Sequence, residues 1–282
     1  MASPPNIVCY TVDVSICSQI ARLAVVEHGQ EYEHKNVDIE EKMENYDPWF
    51  VRINPNMTVP VMSYNGEFIN DSKLIMMYLA EKHPECGLYL DSHRAEIDAY
   101  IEMFYSKFAY IGGFTFRNLV RRGPFTFLFI IRAKVFAASR KQKKLEALSE
   151  FKDAVAKKKA DMNATRNTAL NTPMPQIKAE IQEILDKMES DLKKHSAESN
   201  SFLVGDTYSL ADVVGTCLCA RVHMIAGESM FGPNLRKYFR RMMQRPSYKA
   251  ARIIDSFENS EMFSQISAFR RKVLSCGCSS RK

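Results

Sequence analysis

The sequence predicts an α/β domain followed by an all-α domain, and three observations predict it. Up to about residue 70, short or alternating apolar runs typical of strands flank one stretch with helical spacing, Ser18–His28. After residue 94 they recur almost throughout with helical spacing. The chain has 282 residues, enough for two hydrophobic cores of ordinary size.

The first domain follows the order β-α-β-loop-β-β-α. The hairpin signal is Asn65-Gly66, which stands between two short apolar runs. Asp71 and Ser72 are polar residues of the kind that open a helix. This order, in about 80 residues, matches a thioredoxin-like domain. The predicted strands are Asn6–Tyr10, Tyr32–Val37, Val59–Ser63 and Glu67–Ile69, and the predicted helices are Ser18–His28 and Lys73–Lys82.

The second domain is predicted to be a helical bundle. Gly112-Gly113 either breaks its first helix or marks a close approach to another element. Thr172 to Pro175 is a firm break, because two prolines there remove helical hydrogen bonds. Ser209 and Asp212 have the spacing of a capping box. The predicted helices are Arg94–Tyr110, Gln176–His195, one that opens at Ser209, Pro233–Arg245 and Ser247–Phe257.

These elements predict four segments. Residues 1–84 form the thioredoxin-like domain and residues 85–94 a linker. Residues 95–264 form the all-helical domain, which carries a basic insert at about 117–172. Residues 265–282 form a basic polar tail.

The positive charge is concentrated in the insert. Residues 117–159 contain thirteen Lys or Arg and three Asp or Glu, a local charge of +10, so the rest of the chain carries +6 − 10 = −4. Apolar stretches, Phe125–Ile131 and Val135–Ala138, alternate with these charges. Three interpretations stay open: peripheral contact with an anionic membrane, a wall of a second-substrate pocket, or a solvated helix face. No nucleic-acid motif accompanies the charge, so we expect no nucleic-acid partner.

Composition limits the class of protein further. With 46% apolar and 26% charged residues, the chain is typical of a soluble globular protein. It has no run of 18 apolar residues, and because residues 1–10 lack the basic and apolar regions of a secretory signal, we expect none. Seven scattered cysteines without metal-ligand spacing predict reduced thiols in the cytoplasm and no metal site. Cys276 and Cys278, beside basic residues, are either acylation sites or part of a reduced, disordered tail.

Three stretches, in order and in both domains, carry a resemblance to the glutathione S-transferases. The stretch from Asp47 to Asn54, with the long insert, is similar to the ganglioside-induced differentiation-associated branch of that family. That branch usually ends in a membrane anchor, whereas this chain ends in a polar tail. Plant and bacterial dehalogenase-like transferases share some of these features. The stretches are Cys9–Gly29 (with SICSQIAR), Ile53–His83, and Phe202–Val213 together with Pro233–Ala251.

The resemblance implies glutathione as co-substrate and a site for its backbone. Val59-Pro60 is where the family has a cis proline, and the exposed backbone of Val59 would pair with the cysteinyl backbone of glutathione. Asp71 and Ser72, at a helix start, would hold the γ-glutamyl end.

The resemblance to the family is weaker for the residues that would hold the glycyl end of glutathione. Thr58 stands before Val59, and the lysine that some classes carry there is missing. Lys42 and Arg52 are possible substitutes for that lysine.

Ser15 is the predicted thiol activator, because it lies in the strand-to-helix turn seven residues before Arg22. A free thiol has a pKa of about 8.5, and lowering it by two units requires about 2.7 kcal/mol. One hydrogen bond to a charged group contributes about 1.5–3 kcal/mol, which is enough. Two alternatives stay open: Cys17, which could form mixed disulfides with glutathione, and Tyr10, near where tyrosine-type classes place their hydroxyl.

The predicted function is that of a glutathione transferase, a detoxification enzyme that conjugates the glutathione thiolate to small hydrophobic electrophiles. The electrophile would lie against Tyr105, Phe108 and Phe116, and a homodimer is expected. The alternatives are a non-catalytic relative that is membrane-associated or regulatory, and a structural protein of crystallin type.

Overall fold

The computed structural model describes residues 6–122, 124–194 and 201–256, without the side chains of residues 122–133. The predictions for Phe125–Ile131 side chains, Phe257 and the tail cysteines Cys276 and Cys278 lie outside the described residues. Within them the predicted fold class is confirmed: a small mixed sheet with helices, followed by helices alone.

The first domain contains four strands and three helices. The sheet has the order β2-β1-β3-β4, in which β1 and β2 are parallel and the other neighbours are antiparallel. Helices α1 and α3 pack against the sheet through the main hydrophobic core, while α2 covers a smaller apolar cluster. The elements are β1 (Ile7–Thr11), α1 (Ile16–Glu27), β2 (Glu33–Asn36), α2 (Pro48–Ile53), β3 (Val61–Tyr64), β4 (Glu67–Asn70) and α3 (Ser72–Lys82).

Two details of this domain differ from prediction. The segment expected as a loop contains α2, which begins at Pro48, a residue whose fixed φ suits a first helical position. The third strand begins at Val61 instead of Val59, because Val59-Pro60 is a cis peptide and lies before the ladder to β1.

The second domain contains eight helices among the described residues. Short 3₁₀ helices at Pro84–Cys86 and Asp91–His93 occupy the predicted linker. The predicted capping box is confirmed, since the Asp212 carboxylate accepts from the Ser209 N–H at 2.9 Å. The helices are α4 (Arg94–Ser106), α5 (Phe108–Arg122), α6 (Pro124–Glu146), α7 (Lys152–Asn171), α8 (Met174–Lys194), α9 (Leu210–Ala226), α10 (Pro233–Met243) and α11 (Pro246–Ala250).

The prediction of one helix over Arg94–Tyr110 was wrong. The chain leaves helical geometry at Lys107, where α4 ends and α5 begins. The Lys107 ammonium binds Glu180 at 2.7 Å and Glu183 at 2.6 Å, which anchors this corner to α8.

The helix predicted to run to Phe257 ends at Ala250. The carbonyls of Ala251 and Arg252, which would otherwise continue the helix, accept hydrogen bonds from Arg22 of α1. The end of the described chain is therefore drawn onto the first domain.

Gly112-Gly113 does not break a helix, since both residues lie inside α5. The second interpretation, a close approach, is confirmed for Gly113. A Cβ there would lie 2.9 Å from the carbonyl oxygen of Ala169 in α7, whereas a Cβ on Gly112 would meet nothing within 4 Å. Gly113 therefore permits the insert to pack on the bundle.

The insert packs against the first domain. Lys141 binds the Asp47 carboxylate at 2.6 Å, and Lys134 binds Glu40 at 3.4 Å. Apolar residues of α6, α7 and the turn between them join residues 43–57 in a second buried cluster: Leu145, Phe151 and Val155 with Met43, Tyr46, Val51 and Met57. Part of the basic charge is thus neutralised within the molecule. Membrane contact stays a prediction, for exposed residues such as Arg140 and Lys144.

One described helical segment, Leu210–Met230, is long and apolar enough to cross a membrane. Of its most apolar window, 78% is buried inside the protein. Burial of this kind is what a core helix of a bundle shows.

The two glycines of α5 give a matched test. Gly113→Ala should lower the free energy of unfolding by about 1–3 kcal/mol, because backbone of α7 must move to admit the methyl group. Gly112→Ala should instead raise it by up to about 1 kcal/mol through helix propensity. Urea denaturation of both variants measures this. Equal effects of the two substitutions would contradict the contact between α5 and α7.

Candidate functional site

The candidate site lies at one end of the sheet. Val61, at the start of β3, pairs with Tyr10 near the end of β1 and with Asn70 at the end of β4. The N–H of Asp71 faces the carbonyl of Pro60 at 3.5 Å. The β1–α1 turn, the cis-proline loop and the start of α3 therefore meet at one edge, which the helical domain faces.

Ser15 is the N-cap of α1. Its Oγ accepts a hydrogen bond from the Ser18 N–H at 3.3 Å, and the side chain is half-buried. A hydroxyl that accepts one hydrogen bond still has its own proton to donate. The capping role and a donor role toward a thiolate are therefore compatible.

Cys17 lies in the first turn of α1, beside Ser72 and the helical domain. Burial raises the pKa of its thiol to about 12, although a hydrogen bond with Ser72 and the charge of Arg221 oppose that rise. A thiol with that pKa is protonated at neutral pH. Without a ligand, Cys17 is therefore a weak nucleophile.

The loop before the cis proline is held by an asparagine that sequence reasoning missed. Asn54 is fully buried, and its amide nitrogen donates to the Thr58 carbonyl at 2.6 Å and to the Thr58 hydroxyl at 3.2 Å. Thr58 itself is exposed and Val59 half-buried. The loop is thus fixed from inside, while its outer side stays open to a ligand.

Asp71 and Ser72 begin α3. Asp71 is the N-cap, with φ of +82° and a carboxylate that accepts from the Lys73 N–H at 2.7 Å. Ser72 is buried, and its hydroxyl lies 2.5 Å from the hydroxyl of Tyr105 in α4. Ser72 therefore joins α1, α3 and the helical domain at one point.

The three aromatic residues predicted to contact the electrophile are not equivalent. Tyr105 reaches the site through Ser72, and burial raises the pKa of its hydroxyl well above the ordinary value. Phe108 is half-buried and packs near Phe104 with ring centroids 6.3 Å apart. Phe116 is half-buried one turn beyond Gly112.

Tyr10 is separated from the start of α1. It packs between Trp49 and Phe68, with ring centroids about 6 Å away, in the apolar cluster that α2 covers. Cys9 and Thr11, its neighbours in the strand, face the α1 side instead. The alternation of a strand therefore turns the Tyr10 ring away from Ser15.

The two proposed substitutes at the glycyl end have other partners. Arg52 binds Glu150 of the insert at 3.0 Å and lies over the ring of Phe151. Lys42 is exposed and lies 3.8 Å from Glu44. Neither contact points to a ligand.

Arg22 links the β1–α1 turn to the segment that follows α11. It is fully buried, and it donates to the Thr11 hydroxyl at 2.8 Å and the Ala251 carbonyl at 2.8 Å. Asp13 lies 3.4 Å from Arg22 and also binds Arg252. Sequence reasoning used Arg22 only to position Ser15, because nothing local signals a partner 229 residues away.

Comparison with known proteins agrees with this geometry. Residues 14–82 match the family model for the glutathione S-transferase N-terminal domain, and residues 174–246 match that for the C-terminal domain. Together they cover 142 of 282 residues, half of the chain. The chain belongs to the glutathione S-transferase family.

Two relatives and one structure illustrate the similarity. Tetrachloro-p-hydroquinone reductive dehalogenase of Sphingobium chlorophenolicum is 27% identical over 90% of this chain and 98% of its own. Glutathione S-transferase Z1 of Arabidopsis thaliana is 41% identical over 30% of this chain and 38% of its own. The structure of Ure2p in complex with glutathione superimposes with a TM-score of 0.62 at 18% identity, covering 89% of this chain and all of that one. At 18% sequence identity, this structural similarity is evidence for the fold alone.

Asp13 makes stability depend on pH. Burial raises the pKa of its carboxyl, but the hydrogen bond from Arg252 and the charge of Arg22 outweigh burial, and the pKa lies below its ordinary value. A carboxyl whose pKa is lower in the folded state than in the unfolded state stabilises the fold at pH values above its unfolded-state pKa, about 3.9. That stabilisation is lost as the pH falls toward the folded-state pKa. Asp13→Asn should therefore cost about 1–3 kcal/mol at pH 7.

The difference between wild type and Asp13→Asn should shrink as the pH falls from about 5 to 3, as thermal unfolding would measure. Asp153→Asn is the control, since Asp153 is an exposed residue of α7. A loss for Asp13→Asn that stays constant across this range would show that the ionised carboxyl is not what stabilises the contact.

Proposed function

We propose that this chain is a glutathione transferase, which conjugates the glutathione thiolate to small hydrophobic electrophiles. The observation that carries the proposal is the convergence on Ser72. Its hydroxyl lies 2.5 Å from the Tyr105 hydroxyl of the helical domain, beside the open loop at Val59, and it lowers the pKa of the neighbouring Cys17 thiol of α1. A tripeptide bound there would reach both domains.

The bound tripeptide would use three kinds of contact. The Val59 backbone would pair with the cysteinyl residue, as one residue of an added strand. Asp71 and the start of α3, with the Ser72 hydroxyl, would hold the γ-glutamyl end. Thr58 would lie beside the glycyl end. The sulfur would then lie near the start of α1, where the Ser15 hydroxyl would donate a hydrogen bond to the thiolate and the electrophile would enter from the helical side.

A second candidate is glutathione-dependent reductive dehalogenation. The relative that matches nearly full length is named as a reductive dehalogenase, and Cys17 lies at the same turn as Ser15. Removing a halide with a proton in its place consumes two electrons, which two thiols supply by becoming a disulfide. Cys17 would form that disulfide with glutathione. The raised pKa of its thiol disfavours this step in the free protein, so conjugation is our first proposal.

We further propose a cytoplasmic homodimer. Beside β4 and α3 lies an open groove of about 970 Å³, and three large apolar side chains of this region are exposed: Phe68, Leu74 and Leu90. An exposed apolar surface of this kind is typical of a protein contact. The ganglioside-induced differentiation-associated branch stays a prediction, which rests on Asp47–Asn54 and the insert.

Ser15→Ala tests the proposed activator. Loss of one hydrogen bond to the thiolate should raise the pKa of the bound glutathione thiol by about one to two units, since such a bond contributes about 1.5–3 kcal/mol. Conjugation to an aryl halide at neutral pH should fall about tenfold or more. The pH profile of conjugation measures this, and glutathione affinity should change less because the backbone contacts remain.

Cys17→Ala and Tyr10→Phe are the matched variants. Both should keep conjugation close to wild type, and Cys17→Ala should abolish any mixed disulfide with glutathione. If Ser15→Ala keeps the wild-type profile and Cys17→Ala loses activity, the activator is Cys17. If the wild-type protein conjugates no aryl halide and removes no halide, the non-catalytic alternative replaces both candidates.

A further inference from the structure

Arg221 brings a positive charge from the helical domain to the start of α1. It lies in α9, and its Nη2 donates to the carbonyl of Val14 at 2.5 Å. Val14 immediately precedes Ser15, so this bond crosses the domain interface at the turn that carries the proposed activator. The side chain is only 8% exposed.

The guanidinium of Arg221 has an unused donor. Its Nε is buried and has no hydrogen-bond partner among the described residues. A buried donor without a partner costs about 1–3 kcal/mol. An anion that accepted a hydrogen bond from this Nε would recover that cost and also neutralise a buried charge.

The charged groups near Cys17 act in opposite directions on a thiolate there. Asp71 of α3 disfavours a thiolate at Cys17, and Arg221 of α9 favours one. Tyr105 of α4 and Cys217 of α9 also interact here, both neutral when protonated, and the charge of Arg22 of α1 acts on Cys217. Burial lowers the pKa of Arg221 to about 10, so it is still a cation at neutral pH.

We propose that Arg221 is a positioning residue for a thiolate at the start of α1: it fixes the turn before Ser15 and supplies the charge that the thiolate needs. The inference rests on the proposed function, because the thiolate is that of bound glutathione or that of Cys17. The two sources share one chemistry and are separated by experiment. No covalent step is assigned to Arg221.

The experiment compares Arg221→Gln, Arg221→Lys and Arg240→Gln. Arg240 is an exposed arginine of the same domain that pairs with Glu228, so its loss removes equal charge away from the site. The first arm titrates the thiolate absorbance of bound glutathione against pH, with S-methylglutathione as the ligand that has no thiol. The second arm measures alkylation of Cys17 by iodoacetamide in the ligand-free protein, quantified by peptide mass spectrometry.

Arg221→Gln should raise the pKa of the responding thiol by about one unit, a tenfold loss of thiolate at neutral pH. Affinity for S-methylglutathione should change less than about threefold, since that ligand has no charge at sulfur. Arg221→Lys should restore most of the thiolate, and Arg240→Gln should match wild type. A shift in the first arm assigns the thiolate to glutathione, and a shift in the second alone assigns it to Cys17.

Unchanged thiol titration in both arms would overturn the proposal, as would an equal loss of affinity for glutathione and S-methylglutathione. If Arg221→Gln does not fold, the proposal is tested instead by the NMR resonance of the Arg221 Nε–H group in the wild-type protein. The chemical shift of this resonance should change when glutathione is added and not when S-methylglutathione is added. An identical change with both ligands would overturn the inference. If wild type binds neither ligand, the proposed function fails, and the Cys17 arm alone tests Arg221.

Discussion

The fully buried guanidinium of Arg22 holds the first strand and helix against the segment that follows α11. A charge without solvent must be compensated, and breaking such a group from its partners costs several kcal/mol. Its partners are the Thr11 hydroxyl, the carbonyls of Ala251 and Arg252, and the Asp13 carboxylate. The strand, the first helix and the end of the helical domain are therefore bound to one side chain, and the strand-to-helix turn between them is held in place.

The candidate site depends on that arrangement because neither domain completes it. The first domain contributes Ser15, the cis-proline loop and the start of α3, while the helical domain contributes Tyr105 and Arg221. The insert adds support from outside, since Met57, just before Thr58, is buried in the cluster that α6 and α7 form with the first domain. The basic insert therefore supports, in part, the loop that leads to the cis proline.

Much of this arrangement was predictable from sequence. Local signals fixed the hairpin at Asn65-Gly66, the capping box at Ser209 and the start of α3, since each depends on residues within a few positions. The family resemblance pointed to Ser15, Val59 and Ser72, and in the structure the segments that carry them meet at one edge of the sheet. The helix break at Lys107 was not predictable, because the glutamates that anchor Lys107 are more than 70 residues away. Arg221 was missed for a similar reason: its partner Val14 lies 207 residues earlier, and an arginine in an apolar helix has no local signature.

The central claim is that the edge at Ser72 binds glutathione by its γ-glutamyl end, and calorimetry tests it most directly. The wild-type protein is titrated with glutathione and, separately, with the dipeptide cysteinylglycine, which has the same thiol and glycyl end. The account predicts saturable binding of glutathione and binding of the dipeptide weaker by about tenfold or more, since the lost charged hydrogen bonds contribute about 1.5–3 kcal/mol. Equal affinity for the two peptides, or no binding of glutathione, would contradict it.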